Sequence, residues 1–367
     1  MARSVLITGG CGFIGRHVTR ELLEHGYRVR VLDSLVEQVH GEAQPPRDPR
    51  ADHVIADIRD GEAMKAALQD IDDVVHLASE VGVGQSMYEI ARYVSANEFG
   101  TATLLEAMIG LPIQRIVVAS SMSVYGEGRY RDRDGAIGQP DPGHRRTAGN
   151  WDPLDGHGQR LTPAPTDEEK PVDLASIYAL NKYMQERAVL IFAAAYGMEA
   201  AALRLFNVYG AGQSLSNPYT GVLANFASRI ANGQPPTIFE DGHQRRDFVH
   251  VDDVARAFRL ALERPGAAGQ VFNIGSGVSR SILEIARLLA DAMGRPDLEP
   301  EVLDTARSGD IRHCFADISK ARAMLGYAPR ETLEHALEPF VTWVASNTAI
   351  DRNAEMRRHL EARGLVA

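Results

Sequence analysis

Tyr178 and Lys182, four residues apart in Ser176-Ile-Tyr-Ala-Leu-Asn-Lys182, form the pair in this chain whose chemistry is easiest to name. On a helix they project from one face, one turn from each other. A free phenol titrates at about pH 10, too high for a base at neutral pH, and a nearby ammonium lowers the cost of the phenolate. Tyr178 would then move a proton while Lys182 supplies the field. Taken alone, a Tyr and a Lys at this spacing are more often unrelated neighbours on a solvated face. The run Ser120-Ser-Met-Ser-Val-Tyr-Gly126 strengthens the chemical reading, because it sets a hydroxyl, Ser121, at the end of an apolar strand, where a ligand held at a sheet edge would meet it.

A second set of residues suits binding rather than proton transfer. Val5-Leu-Ile-Thr-Gly-Gly-Cys-Gly-Phe-Ile-Gly15 is an apolar strand running into a glycine turn and then a helix with Ile14, Val18, Leu22 and Leu23 on one face. Gly9, Gly12 and Gly15 are spaced for a tight turn, an unobstructed approach to a pyrophosphate and close helix-strand packing, with the helix N-terminus aimed at the phosphates. The next strand, Arg28-Val-Arg-Val-Leu-Asp33, ends in a carboxylate at about the separation where an acid meets an adenine ribose. The plainer alternative is an ordinary strand-to-helix turn followed by an incidental Asp.

The elements that must position these groups alternate. Strands are predicted at Arg28–Asp33, His53–Ile58, Asp73–Ala78 and Arg115–Ser121 after the first, with helices around Met64–Leu68, Asn97–Leu111 and Tyr178–Ala195. Right-handed crossovers convert this βαβα order into an α/β fold, a doubly wound parallel (Rossmann) sheet with its ligand along the carboxyl ends of the strands. Gly9, Asp33, Asp57, Ala78 and Ser121 then share one edge. Strands at Ala200–Asn207, Phe248–Val251 and Val271–Ile274 and a helix at Ile282–Met293 suggest a smaller α/β substrate-binding region. The expected division is 1–206 and 207–345, interleaved, with a polar helical tail at 346–367 that has Met356, Leu360, Leu365 and Val366 as apolar anchors and no assigned place.

Residues 127–171 break the alternation with Gly, Pro and charge. Lying between Ser121 and Tyr178, they read as a lid over the ligand that is loose without it. His144, Asp152, Asp155 and His157 fit no compact metal site in their spacing, so a solvated loop is expected there and no metal. The helices Asn97–Leu111 and Tyr178–Ala195 carry more apolar surface than one sheet face needs, which suggests a homodimer joined through a four-helix contact.

Composition limits the rest. At 367 residues, 44% hydrophobic and 24% charged with a net charge of -10, the chain reads as globular and argues against a nucleic-acid or anionic-membrane partner. No apolar run approaches about eighteen residues and no leader pattern opens the chain, so a cytoplasmic location is expected. Cys11 and Cys314 are too few and too distant for a disulfide framework or a cysteine zinc site.

From residue 3 to about 345 the chain resembles the extended short-chain dehydrogenase/reductases that act on nucleotide sugars. The resemblance rests on Thr8-Gly-Gly-Cys-Gly-Phe-Ile-Gly15, Asp57-Ile-Arg-Asp60, His76-Leu-Ala78, Ser120–Gly126, Tyr178-Ala-Leu-Asn-Lys182, Leu205-Phe-Asn-Val-Tyr-Gly210 and Arg246-Asp-Phe-Val-His-Val-Asp-Asp253. It implies NAD as cofactor, held by Gly9, Gly12, Phe13, Ile14, Gly15, Asp33 and Ser34. Asp57 and Ile58 would flank the adenine, Leu77, Ala78, Asn97 and Ala119 would add to the site, and Phe206 would pack near the nicotinamide. Ser121, Tyr178 and Lys182 become the catalytic set. The resemblance also implies a nucleotide-diphosphate sugar as partner. Asn207, Arg246, Arg307 and Asp310 would hold its diphosphate or ribose, Val222, Leu223 and Phe239 would lie near the base, and Glu80, Met122 and Ser123 near the sugar. An arginine fork suits a diphosphate and a carboxylate suits a vicinal diol.

Within the family, sugar 4,6-dehydratases carry an Asp-Glu pair after the serine, and uronic-acid decarboxylases a Glu one position further on. Here stand Met122 and Ser123, neither of which can protonate a leaving hydroxyl or act as an additional base. A 4-epimerase needs no further acid. Val81–Glu89, the long insertion after Tyr125 and Asp310–Asp317 resemble the dTDP-L-rhamnose 4-epimerase group, which points to a dTDP-6-deoxyhexose. A 4-ketoreductase consuming free NAD(P)H, a dehydratase or decarboxylase, and a non-catalytic NAD-sensing scaffold are the alternatives. Since the Asp33 carboxylate would bond a ribose diol and repel a 2′-phosphate, calorimetric titration should give tighter binding of NAD than of NADP. Equal affinities would refute that role for Asp33.

Overall fold

Strands that read as unbroken apolar runs are strands covered on both faces. In the computed structural model, which describes residues 2–41, 45–141, 149–217, 219, 221–307 and 309–366, β1 (Ser4–Thr8), β4 (Asp73–His76) and β5 (Arg115–Ser121) are buried along their whole length. With β2 (Arg28–Asp33), β3 (Asp52–Ile55), Glu199–Leu205 and Gln270–Ile274 they form, among the described residues, a seven-stranded sheet. Its order is Gln270–Ile274, Glu199–Leu205, β5, β4, β1, β2, β3, and every pairing is parallel. Helices Phe13–Glu24 and Val251–Glu263 cover one face. Gly61–Ala67, Gly100–Met108 and Ile177–Tyr196 cover the other. This is the doubly wound arrangement expected from the alternation.

Local chemistry fixes the long helix that carries Tyr178. The Ser176 hydroxyl accepts from the Ala179 amide at 3.1 Å, and Gly197 ends the helix at a φ of +69°. The helix expected from Asn97 begins earlier, at Ile90, and passes through a π-helical turn, Val94–Phe99, before Gly100. The third strand stops at Ile55, short of the expected Ile58.

The second unit sits on a smaller sheet in which Asn207–Tyr209 pairs in parallel with Arg245–His250, which pairs in turn with Ser279–Ser281 and His313–Cys314. Helices Val222–Ala231, Ile282–Ala292 and Leu333–Ala345 pack into one core with it. Beyond them the tail folds as helix Asn353–Glu361, with Met356 and Leu360 buried.

The insertion departs from the expected loose lid. Its described part carries a small antiparallel sheet of Ile137–Gly138, Arg129–Arg131 and Thr162–Ala164, and its Trp151 indole donates to Asp304 of the second unit at 2.7 Å. Arg312, fully buried, donates to Asp152 of the insertion at 2.9 Å and to Glu240 and Asp241 of the second unit at 2.8 and 2.6 Å. The Asp152–Arg312 pair, made to a guanidinium that Glu240 and Asp241 also hold, ties the insertion to the second unit. Asp152, expected on a solvated loop, is thus a structural ion-pair partner. Asp155 remains in an exposed turn, accepting from the His157 and Gln159 amides at 2.8 Å each. His144 lies outside the described residues. Among the described residues no cluster of His, Cys, Asp and Glu could hold a metal, and no helix is long and apolar enough to cross a membrane.

Candidate active site

The glycine turn is built around clearances that only glycine permits. Gly9 has a φ of +71°, and a Cβ there would come within 2.8 Å of the Ala78 amide nitrogen. A Cβ on Gly15 would strike the Gly9 carbonyl oxygen and lie 2.5 Å from Gly10 Cα. Helix Phe13–Glu24 is therefore seated directly on the turn. Its N-cap is Gly12, which offers no side-chain cap, so the first amides stay free for an anionic ligand.

Asp33, at the end of β2, accepts from the Cys11 and Leu35 amides at 2.9 Å each, and His40 Nε2 stands 3.5 Å away. Burial pushes its carboxyl up, but the His40 contact and the two amides outweigh that and hold it below the usual carboxylate range. A charged carboxylate is thus maintained where a ribose diol would lie. His40 gave no signal in the sequence, because it reaches Asp33 only through the fold.

These residues open on a cavity of about 450 Å³. Gly9, Gly12, Phe13, Ile14, Gly15, Asp33, Ser34, Asp57, Ile58, Leu77, Ala78, Ala119 and Lys182 line it, as the sequence expected for a dinucleotide. A second cavity, about 480 Å³, is lined by Met122, Ser123, Val222, Phe239, Arg246, Arg307 and Asp310. Ser121, Tyr178, Leu205, Phe206 and Asn207 border both. Ser121 and Tyr178 therefore stand where the two spaces meet. Asn207 contributes a buried Oδ1 with no partner among the described residues, an acceptor that a bound ligand can satisfy.

Three expected site residues are placed differently. Asn97 is fully buried and braces the Glu80 backbone, accepting from its amide at 2.6 Å and donating to its carbonyl at 3.1 Å, so it shapes the cofactor cavity from behind. Leu223 turns into the core of the second unit, while Asn225 and Phe226 of the same helix take the wall. Glu80, expected near the sugar, borders the dinucleotide cavity and is bound by both ends of the Arg92 guanidinium at 3.0 and 2.9 Å. That clamp holds the carboxylate.

At the far end of the second cavity, Arg307 stacks over the Phe239 ring at 4.5 Å and pairs with Asp310 at 2.8 Å. Arg246 donates to the Arg245, Arg312 and Ile311 carbonyls at 2.9, 2.9 and 2.5 Å, which fixes its guanidinium in place. A ring, two guanidiniums and a carboxylate so arranged suit a base, a diphosphate and a ribose.

At the junction, Ser123 donates to Ser121 Oγ at 2.9 Å, and Ser121 bonds the Tyr178 hydroxyl. Lys182 donates to Gln185 Oε1 at 2.7 Å. Burial pushes the Tyr178 phenol up, with the Ser121 bond opposing, and pushes the Lys182 ammonium down to about 7, with Glu186 opposing. The sequence led to the expectation that Lys182 lowers the phenol. In the fold, desolvation dominates both groups and favours the neutral form of each. Gln185, which the sequence reading passed over, is the anchor: its Nε2 donates to Thr101 Oγ1 at 2.9 Å and lies 3.2 Å from His76 Nε2. Its position three residues after Lys182, on the same helix face, was the available signal.

A doubly wound dinucleotide domain whose Ser-Tyr-Lys set faces a second cavity defines an NAD-linked enzyme of the short-chain dehydrogenase/reductase type. The chain belongs to the NAD dependent epimerase/dehydratase family, which it matches over residues 5–147 and 154–275. It is 38% identical over 351 residues to a dTDP-L-rhamnose 4-epimerase of Burkholderia thailandensis, covering 94% of this chain and 95% of that one. It is also similar to the crystal structure of a UDP-glucose 4-epimerase with UDP-glucose from Thermotoga maritima, at a TM-score of 0.77 and 31% identity over 94% of this chain and 99% of that one. A Thermus thermophilus UDP-glucose 4-epimerase complex with NAD gives a TM-score of 0.75 at 28% identity, covering 94% and 100%.

The depressed Lys182 has a consequence for stability. Its folded pKa is about 7 against an ordinary 10.5, so between those values the unfolded chain binds more protons than the folded one. This group's contribution therefore rises with pH through that window, since the cost of burying an ammonium is felt in full below it and vanishes above it. In urea titrations of NAD-free protein, wild type should gain on Lys182→Met as pH is raised from about 7 to about 10. A difference that is flat across that range would show that Lys182 is not desolvated.

Proposed function

We propose that this enzyme, a nucleotide-sugar 4-epimerase, acts on a dTDP-6-deoxyhexose such as dTDP-L-rhamnose. The observation that carries the reading is the position of Tyr178 and Ser121 where the cavity lined by Gly9, Gly12 and Asp33 meets the one lined by Phe239, Arg246 and Arg307. The likeness to the dTDP-L-rhamnose 4-epimerase supports the particular sugar.

Gly9, Gly12 and Gly15 with Asp33 would hold NAD, and its clearances and carboxylate fit that group. NAD, when bound, supplies the acceptor and later the donor of the C4 hydride. Ser121, itself fixed by Ser123, orients the C4 hydroxyl, and Tyr178 takes its proton and later returns it to the new configuration. Lys182, held by Gln185, lies on the cofactor side of Tyr178, where its protonated form would offset the charge of a phenolate. Among the described residues of the second cavity the carboxylates are Glu240, Glu301 and Asp310. Glu240 follows Phe239 and pairs with Arg312, Glu301 pairs in register with Thr237, and Asp310 is held by Arg307. Met122 and Ser123 themselves supply no acid for elimination or decarboxylation, which favours the redox-neutral cycle.

Two exposed apolar helix faces support a homodimer. Phe99 at 58% exposure and Ile191 at 60%, with Leu180 and Tyr196, flank the helices on one side of the sheet. Their burial against a second copy would remove the largest apolar side chains on that surface from water. Both thiols, Cys11 and Cys314, are buried and unpaired, which fits a reducing cytoplasm and can be checked by cell fractionation.

Purified enzyme should interconvert dTDP-L-rhamnose and its C4 epimer with no net change in absorbance at 340 nm, whereas a ketoreductase would consume reduced cofactor. Tyr178→Phe should lower kcat by roughly a thousandfold while nucleotide-sugar affinity is kept, because the ring still fills its place. Ser121→Ala should cost roughly a hundredfold, the usual loss for one positioned hydrogen bond. A Tyr178→Phe enzyme that retained most of its activity would remove Tyr178 as the base. Light scattering at micromolar concentration should give twice the 40.1 kDa chain mass, and Phe99→Asp with Ile191→Asp should return it to one. A monomeric wild type would rule the dimer out.

A further inference from the structure

The segment after Ala345 lies beyond the residues that match the family, yet it touches the second cavity from three sides. Helix Asn353–Glu361 places Met356 and Leu360 on the cavity wall, at 6% and 2% exposure. On one side Leu360 packs on the backbone of Gly84, whose Cβ would lie 3.4 Å from Leu360 Cδ2, and Arg363 stacks over the Tyr88 ring at 4.4 Å. On the second, Asn353 accepts from Asn225 at 2.5 Å and Asp351 pairs with Arg229 at 3.2 Å, both partners belonging to helix Val222–Ala231. On the third, Val366 bridges the backbone of Arg307.

The Gly84 side is the reacting end. Ser86, two residues on, accepts from the Tyr178 amide at 3.0 Å, and Val83 lies against Gly309 and beside Ser176 and Tyr178 on the same wall. Leu360, through its contact with Gly84, therefore stands against that end, and Met356, one turn before it on the helix, lines the same cavity with Val83 and Met122. Four apolar side chains border that space. A hydroxyl pressed against them would give up its bonds to water and find no partner, whereas a methyl group would gain by burial.

We propose that residues 351–366 form a strap that sets sugar specificity, with Met356 and Leu360 selecting a 6-deoxy sugar over its 6-hydroxy counterpart. The inference rests on the nucleotide-sugar reading above and names the part of the chain that chooses the sugar. Its anchors explain how a terminal helix can act in this way. Tyr88, Asn225, Arg229 and Arg307 tie it to the reacting end, to the helix of the cavity wall and to the residue proposed to hold the diphosphate.

The test compares dTDP-L-rhamnose with dTDP-L-mannose, which differ only in the C6 hydroxyl. Wild type should show a kcat/KM ratio of roughly 10 to 100 in favour of the deoxy sugar, the range that an apolar pocket yields for one such group. Leu360→Gln should narrow the ratio at least fivefold, with NAD retention unchanged, because the amide offers the hydroxyl a partner. Arg363→Ala, exposed and outside the core, loosens the strap without risk to folding and should narrow the ratio in the same direction. A wild type that uses both sugars equally, or a ratio that neither variant moves, overturns the strap while leaving the epimerase reading intact. Failure of wild type to bind either nucleotide sugar by calorimetry would instead sink that reading, and the strap with it.

Discussion

One buried carboxylate, Glu186, holds Ser121, Tyr178 and Lys182 in register. One turn beyond Lys182, it accepts from Ser120 at 2.6 Å and from both ends of the Arg204 guanidinium at 3.0 and 2.7 Å. Ser120 faces the helix while its neighbour Ser121 faces the cavity, as alternation along a strand requires. The same ion pair therefore fixes the end of β5, the adjacent strand and the long helix together. Arg204 also lies over the Tyr125 ring at 4.7 Å, and Tyr125 donates to Asn273 at 2.7 Å, which extends the bracing to the far edge strand. Removal of either ion-pair partner would strand a charge in a dry core, so this geometry is hard to deform.

The pocket in front of that brace is dry enough to oppose charge. Burial drives the Tyr178 phenol up and the Lys182 ammonium down, and it lowers His76, behind Gln185, to about 3. Thr8 and Thr101 bond the two ring nitrogens of His76, so a neutral imidazole links β1, β4 and the Lys182 anchor. A proton relay placed in such surroundings responds strongly to any charge brought next to it, because little water is present to screen the field. The chemistry is thus prepared by burial and oriented by neutral hydrogen bonds, more than by a resident ion pair between Tyr178 and Lys182.

Around this centre, the substrate cavity is assembled from segments distant in sequence. The insertion is secured through Arg312 and Trp151, the second unit contributes Phe239, Arg246 and Arg307, and the C-terminal helix closes the remaining side. The cofactor side, by contrast, is built almost wholly from consecutive βα units. That difference in construction suits one invariant ligand on one side and a ligand that varies between relatives on the other.

The same difference decides what could be read from the sequence. Strand-turn-helix units are written locally, so Gly9, Gly12, Gly15, Asp33, Ser121, Tyr178 and Lys182 could be found from spacing, and the parallel sheet from alternation, because a period of two or 3.6 and a glycine turn are short-range signals. The resemblance to a family supplied the nucleotide-sugar side. Partners separated by a hundred residues or more were another matter. Asp152 looked like a loop carboxylate because the buried cation it reaches, Arg312, is 160 residues away. A shorter gap also sufficed: Asn97 looked like a cofactor contact because the Glu80 backbone it braces, 17 residues earlier, comes beside it only when the chain folds back through helices Val83–Ser86 and Ile90–Tyr93. Met356 and Leu360 looked like anchors without a place, since the wall they complete belongs to Gly84 and Asn225. Even the pairing of Tyr178 with Lys182, legible as geometry, had its electrostatics set by burial, a property of the whole packed molecule that no local pattern encodes.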